Sequence, residues 1–131
     1  MNPKSISLII VLSFAFALNG CAGAFKRPSP TANFDPPPQN YEQAIKNYFE
    51  VILKDPDSAR YRFSTPVKAY INEGLLYGGK VSWLGWLIDV HVNAKNSYGG
   101  YTGGSPYMVI FNGDHVVKHF KGKNHILLHR Y

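Results

Sequence analysis

Five histidines, His91, His115, His119, His125 and His129, are the side chains best suited to chemistry near neutral pH. His115/His119 and His125/His129 are each spaced i,i+4, a spacing that chelates zinc when it falls on a helix. The surrounding residues read as strand or irregular chain. On a strand, i and i+4 stand about 13 Å apart, too far to share an ion. No metal site is therefore expected, and these histidines read as surface groups beside lysines. Asp89 and His91 fall on one strand face, and several serines are present, but no Gly-x-Ser-x-Gly turn accompanies them. Glu42, Glu50 and Glu73 show no paired spacing for acid–base work. No catalytic residue and no cofactor follow from these patterns.

Two other segments carry binding chemistry. Asn93 to Gly104 holds four glycines with Tyr98 and Tyr101. Glycine lets another chain approach closely, and tyrosine offers a flat apolar body with a polar tip. Lys95, Asn96, Tyr98 and Tyr101 are the candidate partner-binding residues. The competing reading is a strand connection tucked down by its own tyrosines. The segment is not a phosphate loop, since it lacks Gly-Lys-Ser/Thr and a following helix. After Asp114 there is no acid, and Lys118, Lys121, Lys123 and Arg130 are the candidate contacts to an anionic surface. That end becomes more positive as pH falls through the histidine range. A solvated basic end with no partner is the competing reading.

Of 131 residues, 45% are apolar, 15% aromatic and only 17% charged, with a formal charge of +6. That balance excludes a disordered chain and a coiled coil, and one Cys excludes a disulfide scaffold. The length excludes a multi-domain enzyme. Positioning of the candidate residues falls to one helix and a set of strands. Tyr41, Ile45, Tyr48 and Ile52 recur at helical spacing, with Ala44 and Phe49 widening the stripe. Asn40 and Gln43 form a capping-box variant, Lys54 suits the helix's negative end, and Pro56 stops it, predicting about four turns. Strands are predicted at Ala59 to Phe63, Val67 to Asn72, Val81 to Val92, Tyr107 to Phe111 and His115 to Phe120, with Ile126 to Leu128 as a last short one. In the longest, Leu84, Trp86, Ile88, Val90 and Val92 share a face by period two, and Trp83 and Leu87 lie on the other. Gly78-Gly79 marks a hairpin, and Asn112-Gly113 predicts a type I′ turn. The fold class is α+β: an N-terminal amphipathic helix on a mostly antiparallel sheet of four or five strands, over residues 40–131.

The start of the chain reads as an address. Lys4 precedes an uncharged apolar run, Ile6 to Leu18. As a helix it would be roughly 20 Å long, short of the about 30 Å of a bilayer core, and it suits an export signal. Leu18-Asn19-Gly20-Cys21 resembles the lipobox of bacterial lipoproteins. The resemblance implies a signal peptide over 1–20, cleavage before Cys21, and acylation of its sulfur and new amino group. The alternative is an ordinary secretory signal cut near Ala22 or Ala24. Several acyl chains hold firmly, since each buried CH₂ contributes about 0.8 kcal/mol. Ala22 rather than Asp after the Cys favours, by the same resemblance, the outer membrane. Residues 21–39 then form a spacer, with Pro28, Pro30, Pro36, Pro37 and Pro38 holding it extended over up to roughly 50 Å. Lys26 and Arg27 lie close to the anchor, where anionic head groups are within reach.

A second resemblance joins two segments. Asp55-Pro56-Asp57-Ser58-Ala59-Arg60-Tyr61-Arg62-Phe63 and Val92-Asn93-Ala94-Lys95-Asn96-Ser97-Tyr98-Gly99-Gly100-Tyr101-Thr102-Gly103 resemble a small domain of bacterial and phage-borne proteins with no established activity. Its members often carry Val-Cys-Gly before the second motif. Ile88-Asp89-Val90 stands there in this chain, so no role of that cysteine transfers. Physically, the first motif reads as a helix stop, a turn held by Asp57 or Ser58, and a strand entry. Together these features lead us to expect a lipid-anchored envelope protein of non-catalytic type, a binding or assembly module working through its Tyr/Gly loop. Its expected partners are membrane lipid, other envelope proteins or anionic envelope polymers, and not nucleic acid. The alternative expectation is a small envelope hydrolase using the same loop as a substrate clamp.

Overall fold

A computed structural model describes residues 25–131. The segment read as signal peptide and Cys21 lie outside the described residues. Among the described residues one helix, α1 (Tyr41–Glu50), precedes six strands: β1 (Arg60–Phe63), β2 (Val67–Asn72), β3 (Val81–Asn93), β4 (Ser105–Asn112), β5 (His115–Lys121) and β6 (Leu128–Arg130). Every pairing is antiparallel, in the order β5-β4-β3-β2-β6, with β1 also on β3. The α+β class therefore holds, with two corrections. The helix lies at Tyr41–Glu50, well inside the chain and shorter than the Tyr41 to Ile52 stripe, and among the described residues the strands number six rather than four or five. The extra strands arise because β1 and β2 lie on one side of β3 as a single line broken at Ser64 to Pro66, while the last strand forms at Leu128–Arg130.

The long strand β3 has both faces covered, as its alternation requires. Ile88, Val90 and Val92 pack with Val109 and Phe111 of β4 beneath Ile45 and Phe49 of α1. Leu87 lies opposite, with Ala69, Met108, Ile110 and Leu128. Residues 122–127 join the two edge strands: Gly122 N–H donates to Pro106 O at 2.8 Å, and Leu127 O accepts from Asn72 N–H at 2.9 Å.

α1 spans 10 residues, under three turns. Asn40 makes no side-chain cap, and the Gln43 amide donates to Asn47 Oδ1 at 2.7 Å instead of closing a capping box. Ile52 keeps the helical spacing but lies beyond the helix and is exposed. The β4–β5 turn is centred on Gly113-Asp114, since Asn112 pairs with His115. Only Gly113 has positive φ, the sign pattern of type II′ rather than the predicted I′. Asp114 then offers its carboxylate to Gln39 N–H at 2.7 Å.

The proline-rich segment is not a free spacer over residues 25–39. It lies on the sheet, against Trp86 and Tyr131. Phe34 meets Trp86 and Tyr131 edge-on at 6.4 and 5.1 Å. Trp86 Nε1–H donates to Asp35 O at 2.7 Å, and the Tyr131 hydroxyl donates to Ser29 O at 3.1 Å. Prolines keep this arm extended, and the sheet supplies what its backbone and aromatic ring need.

Candidate functional site

β1 and β3 end side by side, and the two segments of the resemblance meet there. Asp55 starts a short 3-10 turn, Pro56–Ser58, with its carboxylate accepting Ser58 N–H at 3.3 Å. Asp55 and Ser58 therefore hold this turn, not Asp57. The Ser58 hydroxyl donates to Asp55 O at 2.8 Å and accepts Lys95 N–H at 2.9 Å. Ser58 O accepts the Tyr101 hydroxyl at 2.8 Å. One serine thus ties the loop after β3 to the turn before β1.

The loop is also internally bonded. Asn96 Oδ1 accepts Tyr98 N–H at 2.9 Å and Gly100 N–H at 3.2 Å, an Asx-type turn. Asn96 N–H donates to Gly100 O, and Lys95 pairs with Tyr101. The Arg60 guanidinium stands 4.3 Å from the Tyr101 ring centre and the Lys95 ammonium 5.8 Å. Gly104 closes the loop at φ +77°, where a Cβ would strike Val92 O and Asn93. Of the four predicted contact residues, Asn96 and Tyr101 are spent on holding the loop. Lys95 gives its backbone N–H to it. Tyr98 alone is fully offered, at 96% exposed.

Beside this loop, the second face of the sheet opens into a cleft of about 480 Å³, lined by Arg62, Ser64, Asp89, His91, Lys123 and Arg130. A smaller hollow of about 320 Å³ continues it past Arg60 and Asn93. Arg60 and Arg62 fall on this face because they alternate with Tyr61 and Phe63, which pack toward the helix. That alternation was the available signal for two cations the sequence reading passed over. Arg130 Nη2 sits 2.8 and 2.7 Å from the two carboxylate oxygens of Asp89, so that carboxylate is taken up in an ion pair. The Ser64 hydroxyl donates to Thr65 O and accepts Asp89 N–H. Asp89, His91 and a serine therefore share the cleft without forming a hydrogen-bonded relay. Asn93 Oδ1 is buried with no partner among the described residues.

The predicted basic patch does not form as one surface. Lys118 and Lys121 point to opposite faces of β5, since Lys118 opposes Ile110 and Lys121 opposes Tyr107. Lys118 lies 5.0 Å from the Phe120 ring, and only Lys123 and Arg130 join the cleft. The histidines are also not all plain surface groups. His119 Nδ1 is 3.0 Å from the Tyr48 hydroxyl and packs edge-on with Tyr107. His129 lies 5.1 Å from the Tyr70 ring, and His125 lies 4.3 Å from Phe120. Among the described residues no three metal-ligating side chains gather. Under the helix, burial raises the Tyr61 phenol above its ordinary pKa, and the Glu50 charge adds to the rise. Comparison of the chain with family models, curated proteins and solved structures gave no match.

Proposed function

We propose that this chain is a lipid-anchored cell-envelope protein, held in the bacterial outer membrane through acylated Cys21, whose α+β domain is a non-catalytic binding or assembly module. The observation that supports this reading best is the state of the β3–β4 loop. Its order is supplied by its own Asn96 and by the tie from Tyr101 and Lys95 to Ser58 of the turn before β1, and Tyr98 is left unspent at its tip. A loop already ordered loses little conformational freedom on docking, and tyrosine suits a recognition contact. Arg60, Arg62, His91 and Lys123 around the adjoining cleft give the partner its character: an acidic face or an anionic polymer.

The test is recovery of partners from membranes by the acylated chain, followed by mass spectrometry. Tyr98→Ala should lose the partner while the unfolding curve stays unchanged. Raised salt should weaken retention, because the cleft's charges are open to screening. Unchanged recovery with Tyr98→Ala would remove the loop from the reading. Radiolabelled palmitate that enters the wild-type chain but not Cys21→Ser would establish the anchor.

A further inference from the structure

At the opposite end of β3 from the Tyr98 loop, β2 and β3 are joined by a short 3-10 turn, Leu75–Tyr77. Its side chains point into solvent: Leu75 is 56% exposed, Leu76 97% and Tyr77 77%. Three consecutive large apolar residues in an open turn are costly in water and unusual on a soluble surface. Ile126, 78% exposed, belongs to the same end, since the next residue's carbonyl bonds Asn72 at the end of β2. The segments that meet at this turn carry exposed cations, Lys80 on the turn's own loop and Lys26 and Arg27 on the arm bonded to it, with Glu73 as the loop's acid.

The arm also meets this loop. Lys26 N–H donates to Gly79 O at 2.9 Å. The Asn72 side-chain amide, 1% exposed, donates to Lys26 O at 2.8 Å and to Gly79 O at 2.9 Å. The start of the arm is therefore clamped to the loop that carries Leu75 to Tyr77. Five residue steps separate Lys26 from Cys21, which a fully extended chain spans in about 17 Å at most. An acyl chain on Cys21 would keep this turn close to the membrane surface wherever the domain rotates.

We infer that the Leu75-Leu76-Tyr77 turn, flanked by Lys26, Arg27 and Lys80, is a bilayer-docking foot. The leucines enter the boundary between head groups and acyl chains, Tyr77 lies at head-group level, and the cations meet anionic lipid. The inference rests on the anchoring reading above. Its consequence is orientation: β3, 13 residues long, holds the Tyr98 loop about 40 Å farther from the lipid.

The experiment uses the full chain, purified from membranes in acylated form and returned to vesicles of phosphatidylethanolamine with a minority of phosphatidylglycerol. Leu76→Cys is labelled with a nitroxide, and Tyr98→Cys is labelled in parallel. One label per chain is expected, because the acylated Cys21 has no free thiol. The label at position 76 should be open to dissolved oxygen and shielded from a water-soluble nickel complex. The label at position 98 should be open to nickel. Adding Leu75→Ser and Tyr77→Ser should return position 76 to water. Equal nickel access at 76 and 98, with one label per chain, would overturn the docking foot and leave the anchor standing. Two labels per chain would overturn both. Mutual broadening between labels at position 76 would overturn the bilayer as occupant and put a second copy of the chain in its place.

Discussion

Tyr101 separates bracing from recognition, and a short mutational series measures the brace. Tyr101→Phe removes only the hydroxyl that donates to Ser58 O at 2.8 Å. One such hydrogen bond is worth about 1 kcal/mol net. Tyr101→Ala also removes the ring 4.3 Å from the Arg60 guanidinium. An exposed cation–π contact is worth about 0.5–1 kcal/mol, and the lost apolar burial brings the Ala variant to about 2–3 kcal/mol. A double-mutant cycle with Arg60→Ala follows from the same geometry. Arg60→Ala should couple to Tyr101→Ala by about 0.5–1 kcal/mol and to Tyr101→Phe hardly at all, since phenylalanine keeps the ring. Urea unfolding gives the global values. Hydrogen exchange of the Asn96, Gly99 and Gly100 amides reads the loop itself, because all three donate within it. Faster exchange at these amides in Tyr101→Ala, with the strands still protected, is the expected pattern. Unchanged exchange there, or no coupling to Arg60, would refute the bracing argument and return Tyr101 to the set of free contact residues.

Three further outcomes follow from the packing. Phe49→Ala should cost about 3–5 kcal/mol in thermal or urea unfolding, since Phe49 is fully buried and packs with Tyr48, Tyr61, Tyr107 and His119. Asn72→Ala should cost about 1–3 kcal/mol, because Lys26 O and Gly79 O lose a shared donor, and exchange of the Lys26 amide should accelerate more than that of the strands. Tyr61 predicts an alkaline limit. Its phenol keeps its proton in the folded chain at pH values where the unfolded chain, near the ordinary 10.0, has lost it. The folded state then binds more protons, so stability falls as pH rises above that value. Tyr61→Phe should flatten this fall in urea midpoints measured across the alkaline range. An unaltered slope would show that the phenol has no part in it.

The sheet was legible where a single period ran long enough. β3 alternates over its whole length, and both of its buried faces were readable from Trp83 to Val92. The helix was readable by its stripe but overextended, because Ile52 continues the spacing after the backbone has left the helix. The arm was not readable. Proline content signals an extended chain and says nothing of whether a surface waits for it. The cue was indirect: Trp86 shares a face with buried residues, and its indole N–H must find an acceptor, which is Asp35 O. The β3–β4 loop was readable as a cluster of glycine and tyrosine, but the division of labour within it was not. Tyr101 and Lys95 take their partners from Ser58, 43 and 37 residues away, so local pattern could not tell the tyrosine that braces from the one that is free.

The two ends of β3 carry opposite chemistry, and the arm makes that polarity matter. Around Asn72 the exposed groups are leucine, tyrosine and lysine on a turn clamped to the chain's entry point. Around Asn93 they are Tyr98 and a rim of arginine and histidine beside a cleft. A free proline spacer would let either end face the lipid, and the position of the loop would then be set by chance. Clamping Lys26 to Gly79 ties the arm to one end of β3, so the proposed anchor at Cys21 would hold that end, and not the other, near the bilayer. The domain's rigidity then does the positioning that a long spacer would otherwise do. Asn72, 1% exposed, makes that clamp with its amide nitrogen, while its Oδ1 finds no partner among the described residues. Its two amide hydrogens bridge the carbonyls of two separate segments at once, which an apolar side chain of the same size could not do.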